Sequence, residues 1–129
     1  MKLFLTFAFY RTFEIKMDET KLKIVLLDEA RDFIRSLPEK AQKKIVYNIN
    51  RVKSGELDKE LFEKLSDTIW ELRTIYNNVK YRLLAFWDTE TRSLVVVTHG
   101  FTKKTQKTPP KEIAKAEAIR KEYLNYKRK

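Results

Sequence analysis

The spacing of apolar residues changes part-way along this chain, and that change limits the fold it can adopt. Between residues 28 and 53 the apolar positions recur every three or four residues, as in helices with one buried face. These positions are Ala30, Phe33, Ile34, Leu37, Ala41, Ile45, Ile49 and Val52. From residue 68 to residue 99 the dominant period is two, which is typical of strands. The sequence therefore predicts a helical hairpin followed by an antiparallel meander of three strands.

Short polar signals predict where these elements begin and end. Asp28 is expected to cap the first helix, and the segment SLPE at 36–39 to form a capping box with proline inside the first turn of the second. Gly55 is placed to end that second helix. The pair Asn77 and Asn78 tolerates positive φ and predicts the turn between the first two meander strands.

A strand and a helix are expected to flank this central unit. Residues 21–27 have the β-branched content of a strand, which should join the meander because its backbone groups would otherwise lack partners. Residues 60–67 are expected to form a charged connector. Thr108 is predicted to cap a C-terminal helix with Pro109 at its first position. The result is an α+β fold with a small antiparallel sheet packed against helices.

The length of 129 residues fits one domain, which we assign to residues 21–126. Residues 1–20 are expected to be an extension, with Met17 as an alternative start and residues 1–16 adding nothing to activity, and residues 127–129 a basic tail. The apolar run at 3–9 is too short to span a bilayer and is not followed by a small-residue cleavage site. No membrane partner is therefore expected.

Charge and cysteine content narrow the function. The net charge is +10, and residues 101–129 hold ten Lys and Arg against three Glu. Such a concentrated positive field favours nucleic acid as the partner, although a solvated lysine-rich surface is an alternative. Zero cysteines exclude a disulfide scaffold and cysteine-based zinc or thiol chemistry. They also fit a reducing compartment, and the cytoplasm is the expected location.

The meander carries three short motifs in a fixed order. They are ELR at 71–73, YR at 81–82 and GFTKKTQKTP at 100–109. In this order and spacing they resemble the RelE/HigB superfamily of toxins from bacterial type II toxin–antitoxin systems, in particular its phage-related HigB branch. The resemblance covers about residues 21–124. It implies a ribosome-dependent messenger-RNA endonuclease that uses neither metal nor nucleotide cofactor.

The resemblance also implies a set of catalytic residues. Arg82 matches the phosphate-contacting position of the YR motif, and a guanidinium can hold two phosphate oxygens at once. Arg73 of the ELR motif lies on the neighbouring strand and could complete a phosphate clamp. Lys103 and Lys104 match the loop, where neighbouring cations can lower the pKa of a lysine enough for proton transfer. His99, the only histidine, has an ordinary pKa suited to acid–base work.

A second group of residues is expected to bind RNA. Tyr81 and Phe101 could stack on unpaired bases, with Tyr76 as a further aromatic candidate. Lys80 and Lys107 could contact phosphates. These aromatic residues could instead belong to the core.

Other roles stay open for the catalytic group too. Arg82 could form a structural ion pair, the loop lysines could only bind phosphate, and His99 could be a hydrogen-bonded structural residue. Some relatives carry a basic residue where this chain has Glu71.

Partners and competing functions follow from the same resemblance. A toxin of this type implies a cognate antitoxin, here HigA-like with a helix-turn-helix domain, and the ribosome with its messenger RNA. The net charge predicts that the antitoxin carries an acidic segment. Two alternatives are a ParE-like toxin that inhibits gyrase without nuclease activity, and a non-catalytic basic module that binds RNA or the ribosome.

Overall fold

A computed structural model describes residues 22–127, which form five strands and three helices. They are β1 (Lys23–Leu26), α1 (Asp28–Arg35), α2 (Glu39–Lys53), β2 (Phe62–Lys64), β3 (Trp70–Tyr76), β4 (Val79–Trp87), β5 (Leu94–Lys103) and α3 (Pro110–Lys127). The α+β class, the helical hairpin and the C-terminal helix are confirmed. The predicted extension at 1–20 and residues 128–129 of the predicted tail lie outside the described residues.

The five strands form one sheet in the order β1-β5-β4-β3-β2. The antiparallel meander is confirmed, and so is the addition of the first strand to it. The expectation of a wholly antiparallel sheet is wrong, because β1 runs parallel to β5, with Lys23 opposite Leu94. Two parallel neighbouring strands need a long crossover connection. Between β1 and β5 the chain forms the helical hairpin and strands β2, β3 and β4, which provide that connection.

Strand β2 lies within the segment predicted as a connector. Phe62 pairs with Leu72, and Lys64 pairs with Trp70, which places β2 at the edge of the sheet. Three residues are too few to establish a period of two, so the pattern did not indicate a strand.

All three predicted helix starts are wrong in detail. Asp28 is the first residue of α1, and its side chain makes no capping hydrogen bond. Ser36 ends α1 by donating its hydroxyl hydrogen to the Phe33 carbonyl at 2.6 Å, so it does not cap α2. Pro110 is the first residue of α3, and the Thr108 hydroxyl donates to the carboxylate of Glu71. In the first and third cases the predicted cap lies within two residues of the true start.

The predicted turns are confirmed. Gly55 follows α2 with φ of 103°, and its N–H donates to the Val52 carbonyl at 2.9 Å. Asn77 and Asn78 join β3 to β4 with φ of 52° and 65°, the geometry of a tight two-residue hairpin turn. Strand β5 continues past the predicted end at residue 99 as far as Lys103. Part of the predicted loop is therefore strand.

The sheet has a hydrophobic core on each face. On one face, α1 and α2 pack over residues that include Leu72, Leu83 and Val97. On the other face, α3 packs through Ala116 over Leu84, Phe86 and Val96, among others. Helix α3 covers only part of this face of the sheet. The uncovered part lies towards the Asn77–Asn78 turn and carries polar side chains.

The far end of α3 is fixed by a buried carboxylate. Asp88 accepts hydrogen bonds from the Tyr123 hydroxyl at 2.7 Å and from the Lys127 amine at 2.8 Å. Burial, together with the bond to Asp88, raises the pKa of Tyr123 to about 12. This contact ties the C-terminal end of the helix to the β4–β5 connection.

Candidate active site

The pairing of β3, β4 and β5 brings the predicted cations to one face of the sheet. Arg73 lies opposite Arg82, and Arg82 lies opposite Phe101. In the next row, Lys80 lies opposite Lys103. Because side chains alternate between the two faces of a strand, these five residues project from the face that α3 covers in part. Three of the four cations come from separate motifs, Lys80 lies beside the YR motif, and the structure brings all four together.

A buried carboxylate lies among these cations. Glu71 is 1% exposed, and its Oε1 lies 3.4 Å from Arg82 Nε and 3.6 Å from Arg73 Nε. Its Oε2 accepts a hydrogen bond from Thr108, just before α3. Glu71 therefore joins both arginines to the segment that leads into the C-terminal helix.

Arg82 is held more tightly than a surface phosphate-binding residue would be. It is 1% exposed, and its Nη1 donates to the Tyr81 carbonyl at 3.1 Å. Burial lowers the pKa of Arg82, and the Glu71 carboxylate opposes that shift. Its Nε makes no hydrogen bond within the described residues. Arg82 nevertheless borders a cavity of about 470 Å³, which Arg73 also lines.

Arg73 is anchored from several directions but remains partly exposed. Its Nη1 donates to the Lys59 carbonyl at 3.2 Å and to Glu63 Oε1 at 3.3 Å. With Glu71 on its Nε side, the guanidinium is oriented by two carboxylates and one carbonyl. A planar group fixed in this way is suited to recognising a phosphate.

Lys103 has the electrostatic environment that its motif predicts. Burial lowers the pKa of Lys103, and the nearby charges of Arg82, Arg73 and Lys80 lower it further, while Glu71 opposes them. This shift increases the fraction of neutral amine, the form that can accept a proton.

The loop after β5 supplies further positive charge. Lys104 is exposed and shares the lining of a second cavity, of about 460 Å³, with Lys80 and Lys103. Lys107 is also exposed, and its carbonyl accepts a hydrogen bond from the Thr105 hydroxyl at 2.6 Å. Both positions suit contact with a polyanion.

His99 occupies a different position from the cations. It is 2% exposed, with Nε2 2.9 Å from Glu112 Oε1 and Nδ1 2.9 Å from Thr98 Oγ1. Burial lowers the pKa of His99, which favours the neutral ring, and the hydrogen bond with Glu112 opposes that shift. Both ring nitrogens therefore have partners next to α3. This arrangement favours the alternative of a structural histidine.

The three aromatic residues predicted to bind RNA are not brought together. Tyr81 is buried on the opposite face, where its ring meets Phe33 edge-on at a centroid distance of 6.4 Å. Tyr76 packs against the same core. Phe101 lies on the cationic face but packs against the core beneath α3. Burial of the ring leaves Tyr81 no surface on which an unpaired base could stack.

Two residues at this site, Glu71 and Thr108, are not among the functional residues that the motifs predict. Glu71 was recognised only as a departure from the family pattern, and Thr108 only as a helix cap. A signal for Glu71 was present, because its alternation with Arg73 predicts that both lie on one face of β3. Contact between Thr108 and Glu71 joins residues 37 positions apart, which no local pattern reveals.

Residues 22–127 show neither a metal site nor a membrane span. That range has no group of three or more His, Cys, Asp or Glu side chains arranged to hold a metal ion. None of its helices has the combination of length and apolar character needed to cross a membrane.

Comparison with known proteins identifies the family. Residues 32–121 match the model of the family described as phage derived protein Gp49-like. The crystal structure of the toxin–antitoxin complex RelBE2 from Mycobacterium tuberculosis contains a similar chain, with 20% identity, a TM-score of 0.44, and coverage of 64% of this chain and 99% of that one. Comparison with curated proteins finds no match. The family match spans most of the chain and agrees with the phage-related part of the resemblance: the chain belongs to the phage-derived Gp49-like family.

Proposed function

We propose that this protein is the toxin of a toxin–antitoxin pair and that it cleaves messenger RNA in the ribosome. The observation that carries the proposal is the convergence of Arg73, Arg82 and Lys103 on three adjacent strands of one sheet face. Cleavage by an RNA 2′-hydroxyl needs cationic donors on the crowded phosphorane and a group that exchanges protons. The two arginines supply the first requirement, and the shifted pKa of Lys103 suits the second.

The proposed reaction needs no atom from outside the RNA and the protein. The 2′-oxygen forms a bond to the adjacent phosphorus as its proton passes to the neutral Lys103 amine. The bond from phosphorus to the 5′-oxygen breaks, and that oxygen takes the proton that the Lys103 ammonium now carries, which leaves a cyclic phosphate and a 5′-hydroxyl. Arg73 and Arg82 stabilise the negative charge that builds up on the phosphoryl oxygens.

The proposed antitoxin is recognised by charge. A net charge of +10 favours a partner with an acidic segment that covers the cationic face or the exposed side of α3. By resemblance to the HigB branch, this partner would be HigA-like with a helix-turn-helix domain. The proposed site of action is the cytoplasm, where ribosomes and messenger RNA are found.

A second candidate is a basic module that binds RNA or the ribosome without cleaving it. The burial of Arg82 and its ion pair with Glu71 favour this candidate, because a guanidinium engaged by a carboxylate is less available to phosphate. It predicts binding with a strong salt dependence and no new RNA ends.

Single-turnover cleavage of messenger RNA on purified ribosomes tests the proposal. We expect new 5′-hydroxyl ends within translated codons, and loss of those ends in a folded Arg82→Ala, Lys103→Ala double variant. Cleavage by that variant at the parental rate would contradict the proposed site. RNA binding without cleavage would support the basic module, and DNA damage after induced expression would support a gyrase inhibitor.

A further inference from the structure

Helix α2 presents an exposed aromatic ring with a cation on each side. Tyr47 is 57% exposed. Lys44 Nζ lies 5.3 Å and Arg51 Cζ 5.8 Å from the centroid of its ring. Spacings of three and four residues place all three side chains on one face of the helix. Neither the motifs nor the proposed reaction gives this cluster a role.

The same two cations connect the tyrosine to the candidate active site. Lys44 and Arg51 line the cavity of about 470 Å³ that Arg73 and Arg82 also border. The lining contains these four cations and two carboxylates, Asp58 and Glu60. The cavity therefore joins the exposed face of α2 to the arginines of the sheet.

This wall of the cavity is well ordered by internal contacts. Asn48 donates from Nδ2 to Thr74 Oγ1 at 3.0 Å, which ties α2 to β3. Arg51 is fixed by Glu56, with Nη2 at 2.7 Å from Oε2. Lys44 forms no ion pair within residues 22–127, so its charge is available to a ligand. An exposed ring beside an available cation is what single-stranded nucleic acid binds.

We propose that Tyr47 and Lys44 form a subsite for RNA. It extends the path of the bound RNA away from the phosphate clamp formed by Arg73 and Arg82. An unpaired base stacks on the Tyr47 ring, and Lys44 contacts the adjoining phosphate. Stacking of this kind accepts any base, because every base has a π face. The inference rests on the proposed function, since it takes RNA as the ligand at the neighbouring arginines.

The charge of the cavity favours RNA over a protein at this surface. Leu57 and Ile75 are exposed apolar residues of the kind that protein partners cover. The polar lining, however, carries more cations than carboxylates, and cations flank the exposed ring. A polyanion complements that arrangement better than an apolar surface does.

Fluorescence anisotropy with a labelled single-stranded RNA of about 10 nucleotides tests the subsite on the full chain. Tyr47→Ala is expected to weaken binding roughly 5- to 100-fold, the range for loss of one stacked base, while Tyr47→Phe keeps most of the affinity. Lys44→Gln should lower the dependence of binding on salt by about one phosphate contact. Tyr126→Ala is the matched control, because Tyr126 is a 70% exposed tyrosine on α3.

The binding assay requires no cleavage, so a failure of the nuclease proposal and a failure of the subsite give different results. Unchanged affinity in a folded Tyr47→Ala variant overturns the subsite, as does a wild-type protein that does not bind the RNA. The Tyr47→Ala variant could instead retain RNA affinity and lose a co-purifying protein. In that case the surface binds a protein partner and the proposal is wrong. Circular dichroism checks that each variant is folded.

Discussion

Glu71 and Arg82 form an ion pair withdrawn almost completely from solvent, with 3.4 Å between Glu71 Oε1 and Arg82 Nε. The pair crosses between β3 and β4, and the second oxygen of Glu71 accepts a hydrogen bond from Thr108. One carboxylate therefore holds an arginine of the proposed clamp and the segment before α3. Changes at either residue should affect stability as well as activity.

The first prediction concerns the stability of this pair. Arg82→Ala should lower the free energy of unfolding by about 3–5 kcal/mol, because it leaves the Glu71 charge buried without its principal partner. Glu71→Gln in the Arg82→Ala background should recover part of the loss, since the remaining side chain is neutral. Urea denaturation of the two single variants and the double variant measures the coupling. Additive losses would show that the two residues do not act as a pair.

The second prediction separates the catalytic role of Arg82 from this structural one. Arg82→Lys keeps a positive charge opposite Glu71 but cannot make the planar two-point contact with phosphate. We expect it to be more stable than Arg82→Ala and yet to cleave RNA well below the wild-type rate. Arg82→Ala itself should lose about 10²-fold or more when the rate is corrected for the folded fraction. Full activity of Arg82→Lys would contradict a two-point contact.

The third prediction concerns the pH dependence of cleavage. The pKa of Lys103 is lowered by burial and by Arg82, so the amine loses its proton at a lower pH than an ordinary lysine. If the neutral amine accepts the 2′ proton, the single-turnover rate should rise with pH and level off above that pKa. Lys103→Arg should reduce the rate and abolish this rise, because a guanidinium stays protonated.

Lys104 provides a comparison for Lys103 because it is the next residue, exposed at the start of the loop after β5. Lys104→Ala should weaken binding to the ribosome and reduce its salt dependence, with the shape of the pH profile unchanged. If the pH profile of cleavage changed in the Lys104 variant and not in the Lys103 variant, the two lysines would have the opposite roles.

The fourth prediction concerns the pH dependence of stability. Burial lowers the pKa of His99 in the folded protein below its unfolded value of about 6.5. The unfolded chain therefore binds more protons, and this contribution to stability is present above pH 6.5 or so and is lost as the pH falls through the native pKa. Besides Glu112, the charges of Lys115 and Glu29 also act on the ring.

His99→Gln tests this role through two measurements. Its unfolding free energy should depend less on pH between roughly 7 and 5 than that of the wild type. Its cleavage rate, corrected for the folded fraction, should remain close to that of the wild type. A large loss of cleavage in a fully folded variant would restore a catalytic role to His99.

The fifth prediction concerns Gly100, where β5 approaches α1. A methyl group at this position would overlap the Phe33 ring and come within 2.6 Å of Leu83 Cδ2. Gly100→Ala should therefore destabilise the fold by about 1–3 kcal/mol through overpacking. Gly55→Ala is a useful contrast, because that site has open space but a φ of 103°, so its cost is backbone strain. Thermal unfolding of both variants provides the measurement.

The elements with a strong period were predicted well, and the contacts between distant residues were not. Asn77 and Asn78 adopt the expected turn, and that turn sets the register that places Arg73 opposite Arg82. Alternation along each strand then fixes which side chains share a face. The pairing of Arg73 with Arg82 could therefore be predicted from local pattern alone, whereas the position of Lys103 depends on β5 continuing past its predicted end.

Burial depends on what covers each face, and the sequence does not specify this directly. Arg82 and Tyr81 are neighbours in one motif, but one forms an ion pair with Glu71 and the other packs in the core beneath α1 and α2. The same applies to His99, whose partner Glu112 comes from α3. Such assignments require the packing of helices on the sheet, which residue spacing alone does not determine.

The parallel pairing of β1 with β5 has a consequence for synthesis of the chain. Residues 23–26 leave the ribosome early, but their partners at 94–97 follow about seventy positions later. A nascent chain therefore carries an unpaired strand edge until most of the sheet has emerged, which is when it is most exposed to misassembly. The cationic face is also completed late, because Lys103 lies on β5, the last strand of the sheet to be made. A partner thus has the time taken to translate from β1 to β5 in which to be present before the cationic face is assembled.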